Sequence, residues 1–182
     1  QIKEMSANQK YKILHTYDEN NKYNNHILNF IDFITGVVND DYEIYSVEQY
    51  IYNEKYDFSG ILDLVLKKGD EIVIIDYKTG KPKSISQYHM ELSYYIYLFE
   101  SETGLKVTYA GIYFSKENKY RIAEAHVEES KGAVITDEDI EAGLEYLELI
   151  RLTVKSGNIQ PKHQYLCKFC DYEERCNEEG GY

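Results

Sequence analysis

From Asn24 to Val38 the apolar residues Ile27, Leu28, Phe30, Ile31, Ile34 and Val38 return every three or four positions, which predicts an amphipathic helix. The period then changes. Short runs rich in β-branched, aliphatic and aromatic residues predict strands near 43–52, 60–67 and 71–78. The last two are separated by Gly69-Asp70, a two-residue hairpin signal. Ser84 is placed to cap a helix running to about Glu100, and two further strands are expected over Val107–Ser115 and Tyr120–Glu128. Thr136 reads as an N-cap, with Glu138 and Asp139 in the first turn of a helix to about Lys155 that Gly157 and Pro161 end. Residues 1–20 are polar and predict no element, and the chain holds no internal repeat or low-complexity segment.

The hairpin carries the chemistry. If Gly69-Asp70 is the whole loop, Lys68 faces Glu71, and Asp63 falls across from Asp76 with the two side chains on one face roughly 5 Å apart. Lys78, two residues on, returns to that face. Two carboxylates at that separation repel by roughly 3 kcal/mol at an effective dielectric of about 20. A divalent cation removes the penalty, and hard oxygen ligands suit Mg²⁺ or Mn²⁺. The bland alternative makes Asp63 and Asp76 strand-end residues in water, neutralised by Lys78. An Asp-x-Lys alone fits that alternative; an aligned Asp63 inside an apolar hairpin favours the ion.

Gly60-x-x-Asp63 followed by Asp76-Tyr77-Lys78-Thr79-Gly80 closely resembles the PD-(D/E)XK nuclease superfamily, in its RecB-like and phage-exonuclease branch. The resemblance covers Glu43 to Glu100 and, by a second motif, Cys167 to Cys176. It implies an α/β (α+β) fold with a restriction-endonuclease-like core, a central mixed sheet flanked by helices, and the predicted element order agrees. It also implies a divalent-metal-dependent deoxyribonuclease, with Asp63 and Asp76 as metal ligands and Lys78 as a catalytic residue. RecB-like nucleases carry Gln-x-x-x-Tyr on the helix after the hairpin. Here Gln87, Glu91 and Tyr95 recur every four residues, and the best-spaced match has Glu91 where the family has glutamine. Gln87 would supply the amide one turn earlier. A polar stripe on a half-exposed helix accounts for the same spacing. The family's upstream histidine, a ligand of a second metal, maps to His26 or to His15, or has no counterpart here. Glu48 matches a frequent acidic position, and a solvent-facing strand residue would look the same.

All three cysteines lie near the end, as Cys167-Lys168-Phe169-Cys170 and, after five residues, Cys176. That spacing is typical of metal ligation and not of a disulfide framework. An iron–sulfur cluster takes four cysteines. The resembled iron–sulfur nucleases have this tail plus one cysteine far upstream, which is missing here. A [4Fe-4S] cluster would then draw its fourth ligand from outside this chain; His163 could instead complete a Cys3His zinc site, or the motif is a metal-free remnant. The chain opens on Gln1 and not on Met, as a fragment or a processed protein would.

At 182 residues the chain suits a single nuclease domain, with a polar segment over 1–20 and a cysteine-containing tail over 161–182. Its formal net charge of -12 does not advertise nucleic-acid binding, so a DNA path needs local basic patches. Lys81 and Lys83 beside the hairpin, with Gln87, would form one; Lys116, Lys119 and Arg121 would form another. No apolar run is long enough to span a membrane, and the few clustered cysteines suit a reducing cytoplasm. A Gly-rich phosphate loop is absent, so a helicase or recombination partner would lie outside this sequence. The expected substrate is DNA, in recombination, repair or phage replication. The rival classes are a catalytically silent DNA-binding or scaffolding module with a nuclease fold, and a small metal-binding interaction domain built on the cysteine tail.

Overall fold

The computed structural model describes residues 23–157, 168–171 and 173–178. The chain divides into two compact units, Gln1–Leu144 and Glu145–Tyr182. The first begins with helix α1 (Asn24–Asn39), then strands β1 (Glu43–Asn53), β2 (Phe58–Lys68) and β3 (Glu71–Lys78). A 3-10 turn (Ile85–Tyr88), helix α2 (His89–Thr103) and strands β4 (Tyr109–Phe114), β5 (Lys119–Ala125) and β6 (Ala133–Ile135) follow. Helix α3 (Asp137–Ser156) runs into the second unit, which also holds the short helix α4 (Glu173–Glu178). No helix among the described residues is long and apolar enough to cross a membrane.

The six strands form one mixed sheet in chain order. β1, β2 and β3 are antiparallel neighbours, β3 and β4 are parallel, β4 and β5 antiparallel, and β5 and β6 parallel. The parallel step from β3 to β4 needs a crossover, and α2 provides it. Alternation along β3 explains why the sheet is covered on both sides. Ile72 and Ile74 pack with Leu92, Ile96 and Phe99 of α2, while Val73 and Ile75 pack with Ile34 of α1 and with Tyr113. Phe33 of α1 stacks on Tyr113 at 4.2 Å between ring centroids.

Local chemistry fixes the two helix starts differently. The Asp139 amide donates to Thr136 Oγ1 at 3.0 Å, and the Thr136 amide donates to Asp139 Oδ2 at 2.9 Å, a reciprocal cap that starts α3 where the sequence predicts. Ser84 does not cap α2. Its hydroxyl lies 2.8 Å from Ser86 Oγ and makes no cap bond, residues 85–88 wind as a 3-10 turn, and α2 begins only at His89. Gln87 therefore sits on that turn, exposed, and not on a common helical face with Glu91 and Tyr95.

Candidate active site

The β2–β3 hairpin closes as its sequence predicts. Lys68 pairs with Glu71, and Gly69 supplies the positive φ of +59 that the tight loop needs. The ladder continues to Leu64 and Ile75 and stops there. At the next position the strands fork. The Tyr77 amide donates to Asp63 Oδ2 at 2.7 Å, so a side-chain carboxylate takes the place of a ladder carbonyl. Alternation along β2 slips at the same point: Leu62 and Val65 pack on the α2 side, Leu64 and Leu66 on the α1 side.

Asp76 stands on the other prong of the fork, only 4% exposed. Lys78 Nζ lies 2.8 Å from Asp76 Oδ2 and 3.0 Å from Glu91 Oε1 on α2. Its ammonium is also 5.8 Å from the ring centroid of Tyr88, a neighbour that the sequence reading missed. Tyr88 precedes Glu91 by three residues, and that spacing was the one available signal. Tyr95 lies on α2 where that helix passes Gly60. A Cβ at Gly60 would make an ordinary 3.4 Å contact with Tyr95 Cε1 but would lie 2.7 Å from Leu98 Cδ1, a buried methyl that would have to shift.

The electrostatics follow from burial. Burial pushes the Asp76 carboxyl up to about 6; Lys78 opposes the shift, and the charges of Glu91 and Asp63 add to it. Burial works against the charge on Lys78, but the adjacent carboxylates of Asp76 and Glu91 together hold its pKa above the ordinary lysine value. Tyr95 is raised to about 12 by burial and by the charges of Asp76 and Glu91. Although Lys78 is at ion-pair distance, Asp76 Oδ2 is fully buried and receives no well-directed hydrogen bond.

A pH dependence follows. The folded chain holds the Asp76 proton more tightly than the unfolded chain, so this group's contribution to stability is full below about pH 4 and lost as pH rises through about 6. The size is of order 2–3 kcal/mol, at about 1.4 kcal/mol per pKa unit. Metal-free Asp76→Asn should therefore gain stability relative to wild type between pH 4.5 and 7.5 in urea melts. A difference that does not change with pH would contradict the assignment.

The remaining expected site residues are dispersed. By register Glu48 falls opposite Asp63, but it has φ +50 and is exposed. His26 on α1 lies with Nδ1 2.8 Å from Ser115 Oγ, and the Ser115 amide donates to the Lys78 carbonyl at 3.0 Å. Among the described residues no three or more His, Cys, Asp and Glu side chains gather in metal-holding geometry, His26 and Glu48 included. Lys81 and Lys83 are exposed on the loop after β3. In the second basic group, Lys119 is paired with Glu117 at 2.9 Å. Cys170 and Cys176 are free thiols. Cys167, His163 and His15 lie outside the described residues, so convergence of the three cysteines does too.

A mixed sheet flanked by helices, with two aspartates and a lysine at a strand fork, is the restriction-endonuclease-like architecture. A family model for the PD-(D/E)XK nuclease superfamily matches residues 14–177, and the chain belongs to that superfamily. Comparison with curated proteins returned no match. The superfamily consists generally of phosphodiester-cleaving nucleases that use Mg²⁺ or Mn²⁺. The fork fits such an ion chemically: it offers two carboxylates, and a buried Asp76 oxygen lacks a well-directed donor.

Proposed function

We propose that this chain is a divalent-metal-dependent deoxyribonuclease of the RecB-like type, acting as an exonuclease in recombination, repair or phage replication. One observation carries the reading: Asp63 and Asp76 flank the end of the β2–β3 ladder, and Lys78 reaches the same place from the same strand. Asp63 and Asp76 would hold Mg²⁺ or Mn²⁺. When bound, the ion acidifies a water and offsets charge developing on the phosphate.

The chain's own groups do the rest. Asp63 is oriented by its bond from the Tyr77 amide, which leaves its second oxygen for the ion. Lys78 stays protonated and donates to a non-bridging phosphate oxygen as charge grows there. Tyr95, held protonated, can donate a hydrogen bond beside it. Exposed Lys81 and Lys83, with Gln87, would meet the DNA backbone and offset locally the net charge of -12.

End-labelled single- and double-stranded DNA incubated with Mn²⁺ should be shortened progressively by the wild type, and Lys78→Ala should lose about 10²–10³-fold. Intact DNA under all of these conditions would sink the nuclease reading in favour of a silent DNA-binding or scaffolding module. The tail is a separate part of the proposal: Cys167, Cys170 and Cys176 would ligate an iron–sulfur cluster or zinc. Anaerobically purified protein containing neither metal would remove that part and leave the fork untouched.

A further inference from the structure

Lys78 does not stand between one acid and solvent; it stands between two acids. Its ammonium lies 2.8 Å from Asp76 Oδ2, the buried oxygen that metal binding would use, and 3.0 Å from Glu91 Oε1. A dication arriving at Asp76 would meet a positive charge already touching that oxygen. The site can take the ion only if Lys78 backs away, and a buried or half-buried ammonium retreats cheaply only toward another anion. Glu91 is that anion. It lies on α2, an element separate from the hairpin that carries both aspartates, and at 37% side-chain exposure it can follow the lysine without repacking the core. The face of the Tyr88 ring, 5.8 Å from the ammonium, offers a further favourable surface in the same place.

Building on the metal-dependent reading above, we infer that Glu91 is a positioning residue that draws Lys78 off Asp76 when the divalent ion binds. In the metal-free protein Lys78 is shared by both carboxylates and neutralises the fork. With the ion bound it passes wholly to Glu91, still protonated and still within reach of the substrate phosphate. Glu91 thus acts through Lys78, without being a ligand to the metal itself.

A double-mutant cycle read by metal affinity separates these roles. Mn²⁺ binding is measured calorimetrically, with no substrate present, for wild type, Glu91→Gln, Lys78→Gln and the double variant. Glu91→Gln leaves Lys78 with Asp76 as its only anion, and should weaken Mn²⁺ binding about ten-fold, within the range that coupled neighbours show. In the Lys78→Gln background the same change should cost less than about three-fold, because only the through-space charge is lost. Lys78→Gln alone should bind Mn²⁺ more tightly than the wild type.

An equal fold loss in both backgrounds would make Glu91 a direct ligand or a distant charge and overturn the inference, as would no loss in either. Both substituted side chains are partly exposed, and far-ultraviolet circular dichroism checks that each variant is folded. Absence of Mn²⁺ binding by the wild type would instead strike the metal-dependent reading itself.

Discussion

Asp76→Ala should abolish DNA cleavage, by about 10³-fold or more, while leaving the metal-free protein as stable as the wild type or more so. The two halves have one cause. Asp76 is a carboxylate held in a nearly closed place, and at pH 8 its charge is maintained against burial and against the neighbouring charges of Glu91 and Asp63. Removing it takes away that burden. Lys78 keeps Glu91 as a counter-ion at 3.0 Å and remains partly in water, so no lone buried charge is left behind. What disappears is the metal: without the buried oxygen, Mn²⁺ should no longer raise the melting temperature. Thermal melts with and without Mn²⁺, beside a cleavage assay, check both halves. Cleavage at the wild-type rate would refute the mechanism, and a loss of stability above about 2 kcal/mol would refute the electrostatic account.

The largest expected effect on the fold comes from a different residue. Gly111 lies in β4, paired with Ile75 of β3 on one side and with Ile122 of β5 on the other. A Cβ there would fall 2.5 Å from the Arg121 carbonyl oxygen and 2.9 Å from Ile122 Cγ1. The first of these is backbone, so it cannot swing away; β5 would have to part from β4. Gly111→Ala should cost about 3 kcal/mol, at the upper end of overpacking in a close-packed interior. For a chain of this size that lowers the melting temperature by about 6–12 °C. Cleavage should fall with it, because β4 pairs Ile112 against Asp76. Gly36→Ala is the matched control: it lies in α1 with nothing within 4 Å of the added carbon, and should stabilise by about 0.5–1 kcal/mol. Unchanged melting for Gly111→Ala would mean that β4 and β5 do not approach as closely as described.

How far the sequence could be read depended on how local each signal was. The hairpin was legible because a two-residue loop fixes register by itself, and the pairing from Lys68–Glu71 to Leu64–Ile75 follows from it. Counting alone then continued that register through Asp63 and Asp76. The fork at that point was not legible, since it depends on the Asp63 carboxylate capturing the Tyr77 amide. The helix of residues 24–39 and the Thr136 cap were equally local and fell where expected. β6 was not seen: its three residues show no period and gain their strand character only by pairing with β5. The start of α2 was placed too early because Ser84 is a good cap by type, while its hydroxyl is engaged by Ser86. That error carried Gln87 onto a face it does not share. Glu91 and Tyr95 survived it because they lie beyond the turn, on the helix proper.

The most direct test is a calorimetric Mn²⁺ titration of the wild type and of an Asp63→Asn, Asp76→Asn double variant, at pH 8 without nucleic acid. The account predicts saturable binding by the wild type, and none by the double variant at the same concentrations although it melts cooperatively. Equal binding by the two proteins would place the metal elsewhere and contradict the claim that the β2–β3 fork is the active site.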